Sequence, residues 1–576
     1  MQGVLMRPYV WCNEASSDFS ASFANGCPTL PDTLTACQGN FPDWYPLCGC
    51  LPPPFGTISF VMGRLIWLLV TLLTLMGLGA WWVTRTAIRI ERFDAQRFAR
   101  MSEQEQAEWL VKQSLARSRR VGLLSAWWAR WLPSKHDALT LLDGVQVRLL
   151  SEACLRYDLP HLLNRLPAYC ENEKARLIPR LYRALWFAKA GNPQRAEQEV
   201  GAIPIREIRA LALTHLGMTH LQAGENELAH QHFENAQKLL KQSALTSYPE
   251  IYLETLQSLV EHSRLRESPH QIADLIRGLP VRYHTAAVQR LGRLYLERRE
   301  SHRLLALSDA LPAKARNALK PYRAAAQIQQ GQAQAGYEIA LRCASPNDPL
   351  ADALVLRTLH EAGHTALAKR FYVERMSEYI AMANIHAQIQ STIVLHTHTT
   401  HSPNIHLGSR LKFVLGPEFV LYFLQMIRAG CETGLLEEAE WFVRGAGLPD
   451  LQVLGCLECA FARYRAGDEK GARRLVSVAI AEFPNTSPQI PLHLPIRSLR
   501  EAGAQELANH FLHRAREHAL QVRPLEQRSG YLGTIALAYA ASGEYGQAVQ
   551  TALMIPELEL QRDKLVRIVS EMKPHP

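Results

Sequence analysis

The chain has 576 residues, 47% of them hydrophobic and 20% charged, with a formal net charge of +9. That composition is ordinary for folded protein and excludes a disordered or collagen-like chain. The positive excess is small and spread along the sequence, which fits solvated helix faces, and no module for reading bases is visible, so no nucleic-acid partner is expected.

Residues 1–56 form the first expected region. Cys12, Cys27, Cys37, Cys48 and Cys50 crowd into it among prolines and turn residues. In an oxidising compartment this composition gives a small disulfide-stapled segment, with one thiol left over or paired between chains. A disordered tail with incidental cysteines is the plainer alternative.

Residues 57–84 form the second. Leu65 to Thr84 reads LIWLLVTLLTLMGLGAWWVT and contains no charged residue. A helix needs about 20 apolar residues to cross a bilayer. Trp67 stands near one edge of the run, and Trp81 and Trp82 near the other, where interface aromatics sit. Arg85, Arg89, Arg92, Arg97 and Arg100 follow the run, whereas only Arg64 and Arg7 precede it. The expectation is a single-pass protein in a bilayer such as a bacterial inner membrane, N-terminus outside and the remainder cytoplasmic.

Residues 85–140 are basic and tryptophan-rich. Arg117, Arg119 and Arg120 precede Trp127, Trp128 and Trp131. Such a helix can lie among lipid headgroups, so these tryptophans are candidate membrane-interface residues. Burial in an N-terminal cap is the competing reading.

From residue 141 to 576 a hinge recurs, in which a glycine is followed five residues later by alanine. It occurs at Gly191 and Ala196, Gly224 and Ala229, Gly363 and Ala368, and Gly434 and Ala439. It returns at Gly467 and Ala472, Gly503 and Ala508, and Gly543 and Ala548. A fixed period of about 35 residues marks stacked helical hairpins. In the clearest copy Leu213, Leu216, Gly217, His220, Gly224, Ala229, Phe233 and Ala236 put a small, apolar stripe on each of two helices broken at Gly224. Ile203-Pro204, Leu279-Pro280, Leu311-Pro312, Leu448-Pro449 and Ile555-Pro556 end copies in a common way. The signal weakens over residues 245–330 and 390–430. Leu558 to Met572, with Arg562, Lys564, Arg567 and Glu571, reads as a capping helix with a wet outer face.

The order of small, glycine, aromatic and alanine positions resembles the tetratricopeptide repeat. The resemblance implies an all-α, right-handed superhelical α-solenoid whose first helices line a groove for a protein partner. Arg183, His220, Arg463 and Tyr539 lie on first helices and are candidates to face it.

Residues 360–364 read His-Glu-Ala-Gly-His. On one unbroken helix His360 and His364 would share a face and could hold zinc, with Glu361 as general base. The following residues resemble the zinc helix of membrane-anchored ATP-dependent metalloproteases. The hinge register speaks against this, because Gly363 falls at the bend between two helices, and no phosphate-binding glycine loop accompanies the motif. His396, His398, His401 and His406 interrupt the helical periodicity and read as a polar inserted loop. The Cys456–Cys459 pair falls on a first helix and reads as core. No cofactor, metal or small-molecule substrate is expected. The fold class expected is therefore an all-α solenoid plus one transmembrane helix and a small cysteine-rich segment. The function expected is a membrane-anchored, non-catalytic adaptor; a zinc protease or a subunit of a large envelope machine are the alternatives.

Overall fold

A computed structural model describes Trp67, Val70, Thr71, Thr74 and residues 90–118, 140–243, 248–343, 350–397 and 417–572, without side chains for 386–397 and 417–418. The chain divides into two units, Met1–Arg85 and Thr86–Pro576. The helical pairs all lie in the second unit.

The described chain is all-α. Helices come in antiparallel pairs, and in most of them the turn between the two members is built the same way, whereas a 3-10 turn, Arg264–Glu267, joins Pro249–His262 to Pro269–Arg277. In the pair Arg206–Gln222 and Asn226–Gln242, Gly224 takes φ +84°. Its N–H donates to the Leu221 carbonyl at 3.1 Å, and the Glu225 N–H to that of His220 at 2.9 Å. This is the Schellman arrangement, which satisfies the last carbonyls of the first helix and favours glycine because the backbone is left-handed there. The expected hinge glycines 191, 363, 434, 467, 503 and 543 repeat both the positive φ and the two bonds. Further along the pair Arg206–Gln222 and Asn226–Gln242 the two helices cross closely. A methyl group on Gly217 would come within 2.7 Å of the Phe233 ring.

Two further hinges fill the stretch where the repeat signal fades. Gly331 has φ +85° and is followed five residues later by Gly336 rather than alanine. A side chain on Gly336 would meet the Ala324 carbonyl oxygen at 2.6 Å, so the position demands a small residue. Between His284–Glu297 and Ser301–Ala310 the hinge residue is Arg299, with φ 58° and the same pair of bonds, Arg299 N–H to Leu296 and Glu300 N–H to Tyr295.

The first helices form one continuous layer. In chain order they are Gly144–Arg156, Glu173–Lys189, Arg206–Gln222, Pro249–His262, His284–Glu297, Lys320–Gln329, Ala351–Glu361, Pro417–Glu432, Pro449–Arg465, His493–Glu501, Leu525–Ala541 and Leu558–Glu571. Each packs on the next, and the last packs on the first. The unit is therefore a closed ring rather than an open superhelix with a wet cap. Leu558–Glu571 buries Leu565, Val566, Ile568 and Val569, and Glu103–Ala116, whose Trp109, Leu110, Val111 and Leu115 are buried, packs on it. Glu103–Ala116 thus takes the place of the second helix of the last pair. Polar bonds register the seam. Arg156 donates to the Ser570 and Met572 carbonyls at 3.0 and 2.6 Å, Arg562 to the Thr140 carbonyl at 2.6 Å, and Arg117 to the Gln561 side chain at 3.1 Å.

The membrane expectation is corrected. Among the described residues no helix is long and apolar enough to cross a membrane. This overturns the transmembrane helix in the expected fold class, and with it the single-pass localisation and the orientation drawn from it. An apolar run reports composition, whereas crossing requires an unbroken helix of about 20 residues. Most of 65–84 lies outside the described residues, as do the cysteines of 1–56, Trp127, Trp128, Trp131, His398, His401 and His406. His396 falls within helix Thr365–Thr397, so the helix runs further than the expected loop boundary.

Candidate functional site

Closure gives the first helices an inward face, and that face is where charged side chains from different pairs meet. Arg148 reaches past two intervening first helices to Glu254, its Nη1 donating to Oε2 at 2.5 Å and its Nη2 to the other carboxylate oxygen. Arg148 Nε also donates to Glu152 at 3.2 Å, and the Tyr182 hydroxyl donates to the same Glu152 oxygen at 2.8 Å. Burial disfavours the Arg148 charge, but Tyr182, Glu254 and Glu152 more than offset it and keep the guanidinium protonated. His215, beneath this bridge, is pulled below the usual imidazole range first by burial, with Arg148 adding to it.

The row continues around the ring. Arg357 Nε donates to Glu432 at 2.7 Å. Arg428 grips Glu458 with two bonds, at 2.6 and 3.3 Å, and also donates to the Ser498 hydroxyl. Arg497 pairs with Glu571. Next to that pair, burial and then Arg497, Arg567 and Lys564 push His493 down to about 3. Desolvation raises Glu297, against the pull of Arg293 and Arg357. Bidentate guanidinium–carboxylate pairs fix both partners in direction as well as distance. The wall is thus a rigid, mixed-charge surface.

The sequence-predicted groove residues fall elsewhere. His220 is 8% exposed, bonds Glu225 through Nδ1, and stacks on His232 with ring centroids 5.2 Å apart. It closes its own hairpin. Tyr539 is 5% exposed and lies under the Arg516 guanidinium, 5.8 Å from its ring centroid. Arg463 binds Glu440 at 2.6 Å, and Arg183 binds Glu199 at 2.6 Å. Arg183 also borders a shallow cleft with Leu163, Pro167, Arg176 and Arg180. None of the four is among the wall pairs.

At 360–364 helix Ala351–Glu361 ends, Gly363 has φ +81°, and the next helix starts at Thr365. His360 and His364 lie on either side of a turn and share no helical face, and Glu361 pairs with Arg299 at 3.2 Å. Among the described residues no group of three His, Cys, Asp or Glu side chains is placed to hold a metal ion. Cys456 and Cys459 are buried, as read from their place on a first helix.

The wall arginines carried a signal in the sequence. Arg293, Arg357, Arg428 and Arg497 each stand six residues before the hinge residue of their pair, at Arg299, Gly363, Gly434 and Gly503. Among the carboxylates, Glu297 and Glu432 each stand two residues before the hinge residue of their pair, at Arg299 and Gly434.

No family model matches the chain, and no curated relative does. Among solved structures, the crystal structure of Ton1535 from Thermococcus onnurineus NA1 shares 15% identity over 68% of this chain and 98% of that one, with a TM-score of 0.19. A circular tandem repeat protein with novel repeat topology and enhanced subunit contact surfaces shares 14% identity over 82% of this chain and 88% of that one, also with a TM-score of 0.19.

Proposed function

We propose that this chain is a tetratricopeptide-repeat-like scaffold that holds a protein partner and performs no chemistry of its own. The observation that carries the reading is the closed layer of first helices, with arginine and carboxylate rows held rigid on its inward face. A helical pair cannot bury its apolar face alone, so stacking yields a large, stiff surface whose exposed chemistry varies from pair to pair. Mixed charges on rigid supports favour recognition of a polypeptide that carries both signs, and they set specificity and association rate more than raw affinity. That wall supports a protein segment as the partner we propose.

The test is affinity purification of the full chain with mass spectrometry, beside a variant combining Arg357→Ala and Arg428→Ala. A stoichiometric protein partner that is lost from the variant is the expected result. A chain that purifies alone, or a partner that the variant keeps, would overturn the reading.

A further inference from the structure

Away from the inward face, helices Leu436–Gly445 and Glu469–Glu482 are the second members of adjacent pairs. On the first of them Trp441 is 67% exposed, while its neighbour Phe442 is buried in the core. The Trp441 ring meets Phe442 edge-on, with centroids 4.8 Å apart, and turns the rest of a large rigid apolar surface toward solvent.

Beside it three guanidiniums converge on one buried carboxylate. Arg463 Nε holds Glu440 Oε1 at 2.6 Å, from the hairpin interior. Arg444 and Arg474 both lean on the other oxygen, Oε2, at 3.1 and 3.5 Å. The Glu440 side chain is 5% exposed, whereas Arg444 and Arg474 are 65% and 61% exposed. Each guanidinium has five N–H donors, so two arginines sharing one oxygen leave most of their donors directed to water. The neighbouring carboxylates are otherwise placed: Asp468 faces Arg463 at 3.4 Å and Glu438 holds Lys369 at 2.5 Å. Glu437, exposed one turn before Trp441, supplies a negative boundary on one side.

We infer that Trp441, Arg444 and Arg474 form a docking site for a polypeptide segment that places an apolar side chain beside one or two carboxylates. The arginines would take the carboxylates in the bidentate geometry they do not complete with Glu440, and the indole would cover the apolar side chain. Tryptophan and arginine are the residue types that dominate interface energies when they sit at the centre of a contact. The Glu437 boundary and the shortness of the basic patch favour such a peptide over a nucleic acid, whose backbone needs an extended basic track. This site lies on second helices, so it stands or falls separately from the inward-face reading.

Panning random peptides displayed on phage against the full-length chain tests it. The expected outcome is enrichment of peptides with an aromatic or aliphatic residue next to Asp or Glu. Their affinity should fall at least about tenfold with Trp441→Ala, and should fall also with Arg444→Gln plus Arg474→Gln and with rising salt. Trp441→Phe should keep most of the binding. Circular dichroism melting curves should be unchanged for the Trp441 variants, whose side chain is exposed, and should show the arginine variant still folded, because Arg463 keeps its bond to Glu440. Enriched peptides without acidic residues, affinities indifferent to these substitutions, failure to enrich any sequence, or displacement of the peptides by oligouridine would each overturn the inference.

Discussion

The pair Arg206–Gln222 and Asn226–Gln242 and the pair His284–Glu297 and Ser301–Ala310 have the same turn and different residues in it. In the first, Gly224 sits at φ +84°; in the second, Arg299 sits at φ 58° and makes the equivalent two hydrogen bonds. The turn is therefore imposed by the packing of the array, and glycine only lowers its local cost. A side chain in the left-handed region costs about 1 kcal/mol or somewhat more, which the buried faces of the two helices can bear. The repeat is a property of helix crossing, and the glycine is its most visible trace.

Substitutions can break or sharpen that comparison. The largest effect should come from the crossing itself. Phe233→Ala should cost about 3–5 kcal/mol in chemical denaturation, because it empties the space against Gly217. Tyr322→Ala, whose ring sits 2.7 Å from where a Gly292 side chain would begin, tests the same close approach between two consecutive first helices and should cost a similar amount. If Tyr322→Ala were nearly silent, the two regions would not share one packing rule. Leu110→Ala, in the fully buried centre of the seam, should cost about 2–4 kcal/mol, and should make residues 558–571 exchange their amide hydrogens faster. Exchange confined to residues near 110 would mean that the seam is not cooperative.

The hinge residues should respond with opposite signs. Gly224→Ala, which meets no neighbouring atom, should destabilise by about 1 kcal/mol through backbone strain alone. Arg299→Gly should stabilise by up to about the same amount, less the entropy that glycine adds to the unfolded chain. Its ion pair with Glu361 is exposed on both sides and contributes little. A loss of stability on Arg299→Gly would contradict the strain assignment.

The smallest effect concerns pH. His493 titrates at about 3 in the folded ring and at 6.5 when unfolded. The unfolded chain therefore binds the extra proton first as pH falls, and stability should decline from pH 6.5 toward pH 3. The His493 side chain is only half-buried, so solvent screening holds the loss to about 1 kcal/mol between pH 7 and pH 5. His493→Gln should flatten that slope; an unchanged slope would place the proton elsewhere.

Much of the fold was legible from residue order. The period, the phase of the hinges and the bend at Gly363 all follow from where glycine and alanine recur, because those positions are set locally by backbone conformation and by close approach. Gly331 and Arg299 escaped, since one is followed by glycine and the other is not glycine at all. Without them the pairs could not be counted, and so closure could not be foreseen. His220 and Tyr539 lie on first helices, as read from the sequence. A side chain near the hinge end of a first helix, however, packs under its own second helix, as the His220–His232 stack shows. The apolar run at 65–84 led to the membrane expectation, and among the described residues no helix is long and apolar enough to cross a membrane.

Closure by the helix Glu103–Ala116 also has a temporal side. On the ribosome that helix emerges long before Leu558–Glu571, the element it must cover. Until that element is made, the side of Glu103–Ala116 that it will cover lacks its partner, and an exposed apolar face of that kind is what draws non-native association. Elongation rate and chaperone supply should therefore govern the yield of this protein more than the stability of the finished ring does.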